Sequence, residues 1–224
     1  MSSLILLRHG QAAFGADHYD SISERGRQQA LVAGRHFAGR GLRPTRVWLG
    51  PRQRHRVTAE LALAPLGLTP PEATEAALDE FAEGQQILAA AETRQGVRLR
   101  GEGALSGAES ARRYAAEIDA WAENRTVIDG VPPVARFRHG VAQWLRRATV
   151  EPDSGQTVLA VTSGGVIAAL LAIVLDLPDA RLGPFMNAIH NGSVTELVFS
   201  RGRTPALVSF NGTGHLPGNL LTRI

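Results

Sequence analysis

The chain has 224 residues, of which 44% are apolar and 20% charged, and its formal net charge is +3. This length is enough to bury a sizeable core and this composition is ordinary for a globular protein, which excludes collagen, coiled coils and wholesale disorder. The sequence contains no cysteine, so a disulfide framework, a cysteine zinc site and a thiol nucleophile are also excluded.

The basic side chains argue against a nucleic-acid partner. All 24 of them are arginine, aromatic residues make up only 5% of the chain, and the densest basic cluster is confined to 52–56. Nucleic-acid binding would favour a basic run interleaved with aromatic residues.

The longest apolar run, 166–175, is too short for a bilayer, which needs about 20 helical residues, and the N-terminus lacks the features of a signal peptide. We therefore expect a cytoplasmic protein with no membrane partner.

Hydrophobic patterning predicts strands that alternate with helices. The apolar run ending at Leu7 is typical of a buried parallel strand, and Ser23 is a suitable N-cap for the helix that follows. In chain order, the predicted elements are a strand at 4–7, a helix from 23 to about 40, a strand at 46–49, a helix over 52–64, segments of helical composition at 72–83 and 110–124 separated by a glycine-rich loop at 96–107, a helix over 134–148, a strand at 157–162, an apolar helix after 163 that ends before Pro178, and strands at 194–199 and 206–210.

This alternation predicts an α/β protein, a three-layer sandwich with a mostly parallel central sheet. No internal repeat and no linker composition interrupts the sequence, so we expect a single domain over 1–224, with 66–150 as a mainly helical insertion over the sheet. In open α/β sheets, ligands bind beyond the carboxyl ends of the strands. The residues that follow the predicted strands are therefore the candidates for function.

Three predicted strand ends carry groups suited to an anion. Arg8, His9 and Gly10 follow the first strand, two arginines (Arg52 and Arg54) follow the second, and the turn 162–165 follows the third. Arginine forks match phosphate oxygens, and helix N-termini present free N–H groups, so the pattern predicts a phosphoryl pocket.

His9 is the reactive group in this interpretation, because an imidazole can act as a base or a nucleophile near neutral pH. The alternative is that His9 caps the end of the strand and has no chemical role. The same three letters recur at 138–140, but there they lie within a helical pattern, and we interpret that copy as a coincidence.

Five segments carry motifs in a recognisable order: LILLRHGQ at 4–11, SISERGRQQA at 21–30, GPRQRHRVTAE at 50–60, LDEFAEG at 78–84 and AVTSGGVIAALL at 160–171. Their order and spacing resemble the histidine phosphatase superfamily, the phosphoglycerate-mutase-like proteins, and NGSVTEL at 191–197 fits the late strand of that family. The opening segment is most similar to a bacterial branch with Gln-Ala after Arg-His-Gly.

The resemblance implies a role for each matching position. His9 would be the nucleophile and would become a phosphohistidine, Arg8 and Arg54 would hold the phosphoryl oxygens, and Glu80 would protonate the leaving oxygen. The further phosphate contacts that it implies are Gln11, Ser163 and Gly164. Without the resemblance, Glu80 would be interpreted as a solvated helix carboxylate. No cofactor and no metal are expected, and the expected partner is a small phosphorylated substrate.

The chain also departs from the family's pattern. The resemblance implies a second histidine, in contact with the phosphoryl group, where this sequence has Ser163. Three more polar positions are replaced, by Ala12, Gly15 and Gly50. Because loss of one oxyanion donor can cost about 10²–10³ in rate, a slow phosphatase is expected. His215 could supply a substitute imidazole, or it could be a loop histidine that anchors the C-terminus. If only a donor is missing, Ser163→His should raise kcat; in a pocket rebuilt around serine it should lower kcat.

Alternatives remain open at this stage. A non-catalytic protein that binds phosphorylated ligands fits the loss at Ser163. A phosphoglycerate-mutase-type phosphoryl transferase is less favoured, because it needs more polar contacts than this pocket retains. A serine hydrolase would require a G-x-S-x-G elbow around Ser163, and Val161 occupies the first glycine position.

Overall fold

The computed structural model describes residues 2–13, 20–150 and 155–223, and within them five strands form one mixed sheet. The strands are β1 (Ser2–Arg8), β2 (Arg46–Leu49), β3 (Thr157–Thr162), β4 (Val194–Phe199) and β5 (Ala206–Gly212). Their spatial order is β2-β3-β1-β4-β5. The central strand β1 lies between a parallel neighbour, β3, and an antiparallel neighbour, β4.

The prediction of a mostly parallel sheet is correct only for part of the sheet. β2, β3 and β1 are parallel, whereas β4 pairs antiparallel with β1 and β5 pairs antiparallel with β4. The short connection at 200–205 joins β4 and β5 as a hairpin, and a crossover to a parallel strand would need a dozen or more residues.

Helices cover both faces of the sheet. They are α1 (Glu24–Gly39), α2 (Gln53–Leu63), α3 (Gly84–Gln95), α4 (Gly107–Ala122), α5 (Val134–Val150), α6 (Gly164–Val174) and α7 (Leu182–Ala188). Because side chains alternate along a strand, Ile5 and Leu7 of β1 pack in one apolar cluster with α1 and α2, while Leu4 and Leu6 pack in a second cluster with α4, α5 and α6. These two clusters give the three predicted layers. No helix in the described part of the chain is long and apolar enough to cross a bilayer.

The helical prediction for 72–83 is wrong. That segment contains only a short 3₁₀ turn at Ala76–Leu78, and the helix lies after it as α3. Its start is fixed by a capping box, in which Glu83 and Gln86 each accept a hydrogen bond from the other's backbone N–H. The segment before α3 is held against the strand ends instead, since Glu75 N donates to Leu49 O at 2.8 Å.

Candidate active site

His9 lies at the carboxyl end of the central strand, with its side chain only 6% exposed. Its backbone N–H donates to Thr162 O on the neighbouring strand at 2.9 Å. Nδ1 of the ring lies 2.8 Å from Gly10 O. Because a carbonyl only accepts, Nδ1 carries the proton and Nε2 keeps its lone pair. Arg54 Nε donates toward that Nε2 at 3.3 Å.

The surroundings of His9 keep its imidazole uncharged. Burial is the largest cause that lowers its pKa well below 6.5, followed by the positive charges of Arg54 and Arg8, and then by His55. The hydrogen bond to Gly10 acts in the opposite direction. The ring is therefore neutral at neutral pH, which is the state that a nucleophile requires.

Close approach of two glycines fixes the turn after β1. A Cβ on Gly10 would lie 2.2 Å from Gly26 O, at the start of α1, so no larger residue fits there. Gly10 N donates to Thr58 Oγ1 at 3.1 Å, and that hydroxyl donates to Arg54 O at 2.7 Å. Thr58 thereby ties the turn that carries His9 to the helix that carries Arg54.

Two arginines flank His9. Arg54 is 4% exposed, and its Nη1 donates to Asp20 Oδ1 at 2.9 Å. Arg8 donates through Nη1 to Ile189 O and to Arg223 O, the latter at 2.9 Å. Both guanidinium groups are thus oriented by fixed acceptors beside the imidazole, an arrangement suited to the oxygens of a phosphoryl group.

Glu80 is held at the N-terminus of α6. Its Oε2 accepts from Gly165 N at 3.2 Å, and its Oε1 accepts from Phe81 N at 3.0 Å. A Cβ on Gly165 would lie 2.0 Å from Oε1, so this glycine is what allows the carboxylate to approach the helix. Thr162 Oγ1 also donates to Leu78 O at 2.8 Å, which anchors the segment before Glu80 to the end of β3.

A cavity of about 100 Å³ brings these groups together. It is lined by Arg8, His9, Ala12, Arg54, Glu80, Phe81, Ala82, Gly84, Ile87, Tyr114, Ile118, Gly164, Gly165, Met186, Asn187, Asn191 and Arg223. Five of the eight residues expected at the site are therefore on its wall: Arg8, His9, Arg54, Glu80 and Gly164. Of the altered positions, Ala12 is also on the wall, and Gly15 lies outside the described residues. Among the described residues, no group of three or more His, Asp or Glu side chains is arranged to hold a metal ion.

The other three residues expected at the site, Gln11, Ser163 and His215, have their side chains outside the cavity. The amide oxygen of Gln11 accepts from the Ser23 hydroxyl at 3.3 Å. The Ser163 hydroxyl is fully buried and lies 2.7 Å from His55 Nε2. None of these side chains lines the cavity.

His215, the third of them, also lies outside the cavity. Its ring stacks on His36 with centroids 4.9 Å apart, and its Nε2 lies 3.0 Å from Gly192 O. The structure thus attaches this histidine to the loop before β4 and to α1.

The sequence interpretation missed four residues in or next to the site. Asp20 pairs with Arg54, Asn191 and Arg223 line the cavity, and His55 lies behind His9 with ring centroids 5.5 Å apart. His55 had a local signal because it adjoins Arg54, and Asn191 had one because it opens the segment 191–197. Asp20 and Arg223 reach the site through contacts between distant segments, with Arg54 Nη1 donating to Asp20 Oδ1 and Arg8 Nη1 to Arg223 O, each at 2.9 Å.

His55 is fully buried, and the pKa of its imidazole is also lowered well below 6.5. Burial is the main cause, followed by the charges of Arg54 and Arg52. Two neutral imidazoles therefore lie next to each other, with ring centroids 5.5 Å apart.

The fold and the site together define an α/β protein in which a histidine and two arginines line a cavity at the carboxyl ends of the parallel strands. The chain belongs to branch 1 of the histidine phosphatase superfamily, whose family model matches residues 4–96 and 82–213. No curated protein matches the chain.

Solved structures share the fold over nearly the whole chain. Bacillus stearothermophilus YhfR is 21% identical, with a TM-score of 0.70 over 97% of this chain and 100% of its own. Entamoeba histolytica phosphoserine phosphatase, in complex with 3-phosphoglyceric acid, is 19% identical, with a TM-score of 0.67 over 97% and 100%. A mycobacterial glucosyl-3-phosphoglycerate phosphatase is 24% identical, with a TM-score of 0.64 over 95% and 99%.

Proposed function

We propose that this protein is a phosphomonoester phosphatase that acts on a small phosphorylated substrate through a phosphohistidine at His9. The observation that carries the proposal is the state of the His9 ring: Nδ1 donates to Gly10 O, and the unprotonated Nε2 faces Arg54. Family membership supports it, as do structural relatives that are named as phosphatases of phosphoserine and glucosyl-3-phosphoglycerate.

The first step transfers the phosphoryl group to His9. The Nε2 lone pair attacks phosphorus as the bond from phosphorus to the leaving oxygen breaks. A protonated Glu80 gives its proton to that oxygen. Arg8 and Arg54 stabilise the charge on the three equatorial oxygens, which is the main task of a protein in phosphoryl transfer.

The second step restores the free enzyme. Water attacks the phosphorus of phosphohistidine, Glu80 accepts the water's proton, and the bond between phosphorus and Nε2 breaks. Glu80 accepts hydrogen bonds from Gly165 N and Phe81 N, which hold its carboxyl group in place for both steps. Inorganic phosphate then leaves, and His9 has its lone pair again.

We further propose that turnover is slow. Neither Ser163 nor His55 lines the cavity, so the site has one charged donor fewer than the family resemblance implies. Such a donor can be worth about 10²–10³ in rate. The same observation favours the second candidate, a protein of this fold that binds phosphorylated ligands without turning them over.

The apolar wall of the cavity suggests the kind of leaving group. Ile87 of α3, Tyr114 and Ile118 of α4, and Met186 of α7 lie on the wall together with Phe81. We propose that the helical insertion at 66–150 shapes this side of the site, and that the leaving group has an apolar part. Polyols would leave their hydroxyl groups unpaired there, at a cost of about 1–3 kcal/mol per buried group.

A phosphate-release screen over phosphomonoesters tests the function, with His9→Ala as the inactive control. A phosphatase should release phosphate from some esters in a way that depends on His9. Inorganic phosphate binding by calorimetry separates the candidates: binding without release from any ester would support the binding protein and contradict the enzyme. Equal release by wild type and His9→Ala would refute the assigned site.

A further inference from the structure

We propose that His55, held by Ser163, is a positioning residue for phosphoryl transfer at His9. In this proposal, which rests on the proposed function, His55 supports His9 and the turn at 162–165 from behind the cavity and does not contact the phosphoryl group. An imidazole is thus retained near position 163, in the first turn of α2, but as a support and not as the charged donor that the family resemblance implies.

The first observation is the contact between His55 and Ser163. Their Nε2 and Oγ atoms lie 2.7 Å apart, and both side chains are fully buried. A hydroxyl can donate or accept, so it satisfies Nε2 in either tautomer of the ring. Ser163 is the N-cap residue of α6, yet its side chain makes no capping hydrogen bond, unlike Ser23 at α1 and Ser106 at α4. The hydroxyl is committed to His55 instead.

The second observation is the space that the ring occupies. A Cβ on Gly50 would lie 2.3 Å from His55 Nδ1 and 2.6 Å from Leu78 O, so a side chain at position 50 would displace both the imidazole and the backbone just before Glu80. Gly50 and Ser163 looked like two separate losses in the sequence. In the structure they are the two small residues on either side of one buried ring, and the three positions form a consistent set.

The third observation is what the ring touches and connects. The His55 and His9 rings are tilted by 47° with centroids 5.5 Å apart, so His55 limits rotation of His9 away from Gly10 O. Through Ser163, it also ties the first turn of α2, which carries Arg54, to the N-terminus of α6, which holds Glu80. The nucleophile, one arginine and the carboxylate thus share a single buried support.

His55 would affect kcat by holding His9, Arg54 and Glu80 in position. Misplacement by about 1 Å can cost about 10²-fold in rate, so removal of His55 should reduce kcat on the order of tenfold to a hundredfold with a smaller change in KM. Water entering the vacated space should also relieve the burial of His9, and the pKa of His9 should rise toward its ordinary value. A merely structural residue would change stability without shifting that pKa.

The test uses four variants of the full chain: His55→Ala, Ser163→Ala, Ser163→His and the double variant His55→Ala/Ser163→His. Both alanine variants should lose kcat. Ser163→His alone should also lose activity, because two rings compete for one space. The double variant should regain about tenfold over His55→Ala, since its imidazole now comes from position 163. His139→Ala, at an exposed site on α5, is the matched control and should behave as wild type.

Two further measurements keep the test independent of turnover. The affinity for orthovanadate reports the geometry of the anion site, and the pKa of His9 can be followed by NMR in each variant that melts cooperatively. If wild type hydrolyses no phosphomonoester, the proposed function fails, and these two measurements still decide the role of His55. The proposal is overturned if His55→Ala retains wild-type vanadate affinity and His9 pKa. The folded double variant gives a second way to overturn the proposal. If the protein has turnover, a kcat no higher than that of His55→Ala would do so. If it has none, an orthovanadate affinity no higher than that of His55→Ala would do so.

Discussion

At the residue scale, the two nitrogens of His9 have different partners, and this difference makes the ring a candidate nucleophile. Nδ1 donates to Gly10 O, whereas Nε2 faces a guanidinium and the cavity. Arg54 has two contacts to make here, because its Nε points to His9 and its Nη1 to Asp20. The planar fork of arginine can serve both at once, and the single ammonium group of lysine cannot.

Arg54→Lys should therefore lower kcat/KM by about tenfold or more. Arg52→Lys is the matched control two positions away, since Arg52 pairs with Asp79 and Glu83 and does not line the His9 cavity. It should keep nearly wild-type kcat/KM. Steady-state kinetics on the best ester from the phosphate-release screen measures both. Equal losses in the two variants would show that Arg54 has no special part in the site.

At the scale of elements, the N-terminus of α6 depends on two adjacent glycines with different surroundings. A Cβ on Gly165 would lie 2.0 Å from Glu80 Oε1, whereas a Cβ on Gly164 would lie at an ordinary 3.4 Å from Arg8 Nε. Gly165→Ala should displace the carboxylate and reduce kcat by about 10²-fold, the lower end of what general acid–base catalysis contributes. Gly164→Ala should cost much less. Kinetics on both variants, with melting curves, checks this, and an equal effect would contradict the placement of Glu80.

The helices that line the cavity give a prediction about which substrates are preferred. Because α3, α4 and α7 present Ile87, Ile118 and Met186 to the cavity, kcat/KM should be higher for an aryl or alkyl phosphate than for glycerol phosphate, by about 10-fold or more. Ile118→Asn should narrow that difference, while His139→Ala, on the exposed surface of α5, should leave it unchanged. A preference for the polyol ester in wild type would contradict the proposed leaving group.

The same elements show what the sequence can predict. The predicted bounds of β2, β3 and β4 agree with the structure, and in β3 the apolar run at 158–161 is fully buried, as expected for a strand covered on both faces. The convergence of Arg8, His9, Arg54 and Glu80 was inferred from motif order and strand ends, and the structure brings these side chains together. The start of α3 is set by the Glu83–Gln86 capping box, and helical composition over 72–83 alone does not reveal it. The His55–Ser163 pair spans 108 positions, and no local pattern specifies such a contact.

At the scale of the whole molecule, two buried neutral histidines affect how stability depends on pH. The pKa values of His9 and His55 are both well below 6.5 in the folded protein, mainly because of burial. Below about pH 6.5, the unfolded chain binds protons at these positions that the folded chain does not. The free energy of unfolding therefore falls on acidification, by about 1.4 kcal/mol for each unit of pKa lowering at each group.

Thermal unfolding should accordingly show a lower Tm at about pH 5 than at about pH 7.5. His55→Gln removes one of the two groups while retaining a polar side chain, so its Tm should fall less across the same interval. A Tm that rises on acidification, or an equal fall in His55→Gln, would contradict the buried neutral state of His55.

Trapping of the phosphorylated intermediate tests the central claim most directly. Rapid quench of the full chain during turnover of an ester that carries radioactive phosphorus should yield a phosphoryl adduct that is labile in acid and stable in base. Peptide mapping should place that adduct on His9. His9→Ala should give no adduct, and His139 should carry none. A label on another residue, or phosphate release in His9→Ala at the wild-type rate, would contradict catalysis through a phosphohistidine at His9.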